Sequence, residues 1–296
     1  MSTRIAELFT VDTATQEVDA WRGIVRKQYC KYLERKCLKI RKSQPNISIG
    51  TCTVYSGSDN TPIIICPHRL LERNQIFTDC LPLLTLHRLG NQYHIVSEVS
   101  VPGGSVDYFL VSARKAKVED FVGIELQTLD TTGTVWPERQ RFLASVGLPV
   151  AQADTATGRQ FGMNWKMTAK TILVQLHHKV ETFESLNKHL VMVMQDKLLR
   201  YMGDTFSFGH VGEARIGHPM QFHAYALNRD NERLHLELSS RLSTDSKGVA
   251  ACLGLQAESS VDLEDIVFQL EAKLSDTTLL NIFPARTDEV SDTPSG

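Results

Sequence analysis

The stretch VDYFLVSARKAKVEDFVGIELQTLD, residues 106–130, constrains the fold of this chain more than any other. Two apolar runs, YFLV and FVGI, flank the polar link ARKAKVED and read as two strands folded back on each other. Such a hairpin implies a well-buried sheet, so its polar residues need a reason. Asp107, Glu125 and Gln127 are residue types that pack poorly in strands and cost free energy on a buried face. Glu125 and Gln127 stand two apart and share one face, with Ile124 and Leu126 on the other. Antiparallel pairing of FVGIELQ with VDYFLVS brings the Asp107 end beside them. Two readings are open. The residues are ordinary charges on an exposed sheet edge, or the carboxylates hold a hard divalent cation such as Mg²⁺, with Glu98 in YHIVSEVSV as a third donor.

The surrounding pattern predicts a mixed α/β chain. Residues 14–40 read as one helix, with Val18, Trp21, Ile24 and Val25 at helical spacing. ISIGTCTVY and TPIIICP read as short strands, and RLLERNQIFTDCLPLLTLHRL as one or two helices around Pro82. YHIVSEVSV, VDYFLVSA and FVGIELQTL form a three-strand meander. NWKMTAKTILVQLHHKVETF is a strong amphipathic helix, and SVDLEDIVFQLEAKLSD a late helix with Ser260 as its N-cap. The expected organisation is an N-terminal helical and cysteine-bearing region (1–80), a sheet core with flanking helices (81–285) and a polar tail (286–296). With 296 residues there is ample length for a core. No apolar run approaches the ~20 residues that span a bilayer, and MSTRIAELFT has no signal-peptide core, so a cytoplasmic setting is expected.

That setting disfavours disulfides and bears on the cysteines. Cys30, Cys37, Cys52 and Cys66 fall close together, while Cys80 and Cys252 stand apart as small buried hydrophobes. Gly50 near Cys52 and Pro67 after Cys66 allow tight turns that let thiolates converge on one ion. Four thiolates suit tetrahedral zinc or iron in a closed, structural site. The C-x6-C-x14-C-x13-C spacing is not a paired CxxC pattern, so free core thiols and redox chemistry stay open beside the metal.

Formal net charge is only −2, so no global polycation advertises nucleic acid. Residues 22–42 nevertheless hold nine Lys or Arg against one acid, Glu34. Charge by itself makes this a solvated face; a phosphate-binding surface is the alternative.

Four stretches carry a resemblance in one order: the cysteine set with GTCTV and IIICPHRLLERNQIF; EVSVPGGSVDYFLV; VGIELQTLDTTG; and GMNWKMTAKTILVQLHHK. Together they resemble the NotI/EagI type of type II restriction endonuclease over about residues 20–190, a PD-(D/E)xK-like nuclease core in which Gln replaces the usual Lys. The resemblance implies Asp107 and Glu125 as Mg²⁺ ligands, Gln127 at the place of the superfamily's lysine and Glu98 at an upstream acidic position. It places Cys30, Cys37, Cys52 and Cys66 on a structural iron or zinc site. It further implies a homodimer on double-stranded DNA, a GC-rich palindrome with a CGGCCG-like core, and a cognate methyltransferase protecting the host. Arg139, Arg141 and Arg159 are candidate base readers, and Lys166 and Lys170 candidate phosphate contacts. A metal-stabilised DNA-binding protein without activity and a repair nuclease without fixed sequence are the competing classes.

Overall fold

The computed structural model describes residues 4–14, 17–156, 160–230, 233–255, 267–268 and 271–272. The chain opens with β1 (Ile5–Leu8) and β2 (Val11–Asp12), joined by Phe9 and Thr10 at positive φ. Helix α1 (Val18–Lys27) follows. The helical spacing predicts a helix over 14–40, but α1 stops at Gln28, which is left-handed (φ 49°) with its N–H on the Ile24 carbonyl. The Cys37 N–H then returns to the Gln28 carbonyl at 2.8 Å. This closes a hairpin of β3 (Tyr29–Cys30) and β4 (Arg35–Lys36), turned at Glu34 with φ 52°. Cys30 and Cys37 therefore sit on a tight knuckle rather than a helix. After β5 (Ile40–Arg41) and β6 (Gln44–Ser48) come β7 (Thr51–Ser56) and β8 (Thr61–Ile64), which complete a four-stranded sheet in the order β2-β1-β7-β8.

A 3-10 turn (Pro67–Asn74) and the short α2 (Gln75–Cys80) lead to the meander of β9 (Gln92–Val101), β10 (Gly104–Arg114) and β11 (Lys117–Gln127). The apolar pattern predicts these three strands, and they pair antiparallel. Next come β12 (Thr131–Thr132), α3 (Trp136–Ser145), α4 (Gln152–Thr155), β13 (Gly162–Met163) and the long α5 (Trp165–Ser185). The chain continues through β14 (His189–Gln195), α6 (Asp196–Thr205), β15 (Gly212–Glu213), β16 (Met220–Asp230), β17 (Arg233–Thr244) and α7 (Ser246–Cys252). The large sheet runs β15-β17-β16-β14-β11-β10-β9, with β14 parallel to both β11 and β16. Parallel neighbours need a crossover, and α5 lies on the one between β11 and β14.

Every residue of β14 is buried, as expected of a parallel strand covered on both faces. Leu190, Met192 and Met194 join one core with Ile172, Leu173, Leu176, Val180 and Phe183 of α5. Val191 and Val193 alternate into a second core with Leu70, Ile76, Phe77, Leu110 and Ile124. Ile5, Leu8, Trp21 and Val54 belong to the α5 core, so the cysteine-bearing region is packed onto the sheet layer that it precedes. Met1–Leu255 make one compact unit and Gln256–Gly296 a second. The expected helix from Ser260 and the expected tail lie almost wholly outside the described residues. Among the described residues no helix is long and apolar enough to cross a membrane.

Candidate functional site

Three acidic residues stand in line across the meander. Tyr108 faces Ile124, so one step further along the register Asp107 faces Glu125. On the other side Val106 faces Val99 and Tyr108 faces Ser97, which leaves Asp107 opposite Glu98. Glu98 has φ 55°, a left-handed conformation uncommon for a non-glycine residue in the middle of a strand. Strained backbone of this kind persists only where its surroundings hold it, and it gathers at functional sites.

Asp107 is fixed by the Leu126 N–H, which donates to its Oδ2 at 2.8 Å. With Glu98, Ser97, Tyr108 and Leu126 it lines a cleft of about 190 Å³ whose other wall carries Leu33, Arg35, Leu38, Pro67 and His68. The basic cysteine hairpin thus rims the carboxylates. Burial holds His68 below its ordinary value, with Arg35 adding to the drop and Asp107 opposing it.

Glu125 is held from the helix layer. Lys179 of α5 donates from Nζ to Glu125 Oε1 at 2.5 Å and to the Ser105 carbonyl at 2.6 Å. Burial pushes the Glu125 carboxyl up to about 7; Lys179 pulls against that rise and Asp107 adds to it. Two facing carboxylates, one of them half-buried, make a site where bound positive charge is favoured. A divalent cation taking oxygens from Asp107 and Glu125, plus water and phosphate, fits this donor chemistry. Gln127 donates from Nε2 to the neighbouring Thr128 carbonyl at 2.8 Å. Lys179 is not singled out by motif or spacing, although the sequence carries a signal for it. It falls three residues after Leu176 and seven after Ile172, on the apolar stripe of α5, where a lysine is out of place.

The four clustered cysteines meet in part. Cys52 and Cys66 act on each other: that interaction, together with burial, raises the Cys52 thiol, and it brings Cys66 down to about 7 against the opposing effect of burial. The His68 and Arg69 N–H groups and Lys39 also favour a Cys66 thiolate. Burial raises Cys30 and Cys37, and both feel the charge of Cys66. The thiols are therefore neighbours, yet among the described residues no group of three or more His, Cys, Asp or Glu stands ready to hold a metal ion. Cys80 and Cys252 are buried, as their contexts suggest.

The basic candidates separate. Arg139 is buried, and its guanidinium donates to the Ile49 carbonyl at 2.7 Å and to Gln140 Oε1 at 2.6 Å while lying over the Trp136 ring. Burial lowers it to about 10. It ties α3 to the β6–β7 turn, and its donors are spent inside the protein, which removes it from the set of base readers. Arg141 is held by Glu138 at 2.7 Å and the Thr155 carbonyl at 2.9 Å. Arg159 lies outside the described residues. Lys166 and Lys170 are exposed on the first turns of α5, and Trp165 packs beside Tyr201 with ring centroids 5.5 Å apart.

Residues 34–234 match the family model described as restriction endonuclease NotI. No curated protein matches the chain. The match spans about two thirds of the sequence and includes Glu98, Asp107, Glu125, Gln127 and Lys179. The chain thus belongs to the NotI restriction endonuclease family: it is a type II, site-specific deoxyribonuclease that cuts double-stranded DNA within a restriction–modification system.

Proposed function

We propose that Asp107 and Glu125 are the Mg²⁺ ligands of this endonuclease, that Glu98 assists from the edge strand, and that Gln127 orients the attacking water. The observation that carries the reading is the alignment of Glu98, Asp107 and Glu125 across β9, β10 and β11. A bound Mg²⁺ would lower the pKa of a coordinated water and offset charge on the phosphodiester. The protein's own contribution is positional. The Leu126 N–H fixes Asp107 beside Glu125. The Gln127 amide can accept a proton of the water in a hydrogen bond without bringing charge. Water attacks phosphorus in line and the 3′-oxygen leaves, giving a 5′-phosphate end.

The same reading assigns a homodimer to a palindrome, since a two-fold protein matches two-fold DNA. The family resemblance supports a GC-rich site with a CGGCCG-like core and a cognate methyltransferase. Arg141, Lys166 and Lys170 remain DNA-contact candidates, and so does Arg159. The cysteine knuckle is proposed to carry structural iron or zinc through Cys30, Cys37, Cys52 and Cys66. The coupling of the thiols through Cys66 supports this, although the sulfurs would have to close round the ion.

The test is digestion of a large GC-rich DNA with Mg²⁺, followed by sequencing of the ends. Discrete fragments with 5′-phosphates, lost in Glu125→Ala, are expected. Undiminished cutting by Glu125→Ala would remove the carboxylate assignment. Elemental analysis of the purified protein tests the thiol site separately: about one iron or zinc per chain, lost in Cys52→Ser, is the expected result.

A further inference from the structure

Beside the carboxylate row stands one buried cation with no role in the reading above beyond its ion pair. We infer that Lys179 is a positioning residue for cleavage, holding Glu125 from helix α5 where the strand itself supplies only the neutral Gln127. This inference rests on the carboxylate assignment and goes further, by naming the group that supports it.

The geometry is that of a prepared socket rather than a chance ion pair. Lys179 lies on the buried face of α5, and its ammonium is shared between Glu125 Oε1 and the Ser105 carbonyl. Ser105 follows the turn Pro102-Gly103-Gly104, and that turn is pressed against the helix at this point. A Cβ on Gly103 would stand 3.0 Å from the His178 backbone, and one on Gly104 would stand 3.3 Å from the Lys179 Cε. Both glycines have positive φ, 92° and 133°, and Thr182 Oγ1 donates to the Pro102 carbonyl at 3.3 Å. One ammonium thereby joins the start of β10, which carries Asp107, to the end of β11, which carries Glu125. Surface ion pairs contribute little, but this pair is largely desolvated and its ammonium also donates to the Ser105 carbonyl.

The chemistry asks for such a group. Charge builds on the phosphodiester during attack, and a fixed positive group beside the carboxylates acts where water is excluded. Gln127 shares the face of Glu125 but carries no charge, and its amide N–H is engaged by the Thr128 carbonyl. Lys179 occupies one Glu125 oxygen, and a carboxylate has a second to offer. Its expected role is therefore to fix the carboxylate's orientation and balance its charge, with DNA affinity left to other residues.

The experiment compares wild type, Lys179→Met, Gln127→Lys and the double variant Gln127→Lys/Lys179→Met. Thermal melting, DNA binding in Ca²⁺, Mn²⁺ binding by calorimetry and single-turnover cleavage in Mg²⁺ are measured for each. Lys179→Met is expected to stay folded, to bind DNA within about threefold of wild type and to cleave about a hundredfold more slowly. Its Mn²⁺ binding should weaken. A lysine returned at position 127, on the same face, should recover about tenfold of the rate in the double variant, a rescue that a purely structural role would not give. Wild-type cleavage by Lys179→Met, or a rate loss that follows lost DNA binding, overturns the inference. If Lys179→Met does not fold, the double variant decides. Folded and active, it supports the inference; folded and inactive, or unfolded, it assigns Lys179 to the fold alone. Glu125→Ala separates the two failures: if Glu125 is dispensable the carboxylate reading falls, whereas if Glu125 is required and Lys179 is not, only this inference falls.

Discussion

Arg69 has no exposed surface, and the whole of its charge is answered by residues from three separate parts of the chain. Its Nε donates to Glu7 at 2.7 Å, Nη1 to Glu72 at 2.9 Å and Nη2 to the Leu234 carbonyl at 2.9 Å. Glu72 also accepts the Leu236 N–H at 2.8 Å, and Glu7 accepts the Thr53 hydroxyl. One guanidinium thus ties the small sheet to the last hairpin of the large one. Removing one partner of a buried pair leaves uncompensated charge, which costs about 3–5 kcal/mol. Arg69→Met is therefore expected to lower unfolding free energy by about that amount in urea titrations, whereas exposed Arg22→Met should change it by less than about 0.5 kcal/mol. A loss below about 1 kcal/mol for Arg69→Met would show that the network has another source of support. No local reading of RLLERN reveals this role, because Glu7 and Leu234 reach Arg69 only through the tertiary fold. Arg139 teaches the converse: as a basic residue in an irregular stretch it looks like a DNA contact, yet it is spent on carbonyls of the turn before β7. Asp107, Glu125 and Gln127 are legible as candidates because a strand's two-residue period fixes faces, and polar residues break an apolar pattern visibly.

At the scale of elements, the meander, α5 and the short strands β7 and β8 follow from hydrophobic period and turn residues. The end of α1 does not, because Gln28 is not a residue that marks a helix stop by type; it is the return of Cys37 to its carbonyl that makes the stop. The Pro102-Gly103-Gly104 turn reads as a turn in sequence, but the need for two glycines comes from α5. Gly90 and Gly103 provide a matched pair for separating these effects, since both have φ 92°. A Cβ on Gly90 would meet nothing within 4 Å, while one on Gly103 would press on the His178 backbone at 3.0 Å. Gly90→Ala should show only the conformational penalty, of about 1 kcal/mol, and Gly103→Ala about 1–3 kcal/mol more because helix and turn must separate. Since that separation loosens the Ser105–Lys179–Glu125 link, Gly103→Ala should also slow cleavage, and Gly90→Ala should not. Equal losses for the two alanines, read from urea unfolding and cleavage rates together, would place no constraint at the turn–helix contact.

For the whole molecule, the informative quantity is the arrangement of charge rather than its sum. The chain is formally −2, but the segment from Arg22 to Lys42 is strongly basic, and of its nine cations only Arg41 is withdrawn from exposure, against Asp154 at 3.0 Å. The chain bends this segment into the cysteine knuckle and sets Arg35 on the wall of the cleft that holds Glu98 and Asp107. A polyanion drawn to the knuckle would therefore meet the carboxylates, which by themselves repel phosphate. Charge and spacing leave a solvated helix face and a phosphate-binding surface as alternatives; position in the fold favours the second. Binding of this kind releases counterions without reading bases, so it contributes to affinity and its salt dependence but not to the choice of site. Replacing Lys31, Arg35 and Lys36 together by alanine should reduce the slope of log K against log salt by about 0.9 for each phosphate that is no longer neutralised. The cleavage sequence should stay the same. The measurement is fluorescence anisotropy with a cognate duplex in Ca²⁺ over a series of NaCl concentrations, paired with sequencing of the ends cut in Mg²⁺. An unchanged slope would return the segment to an ordinary solvated surface, and a changed cutting sequence would move one of these side chains from the phosphates to a base edge.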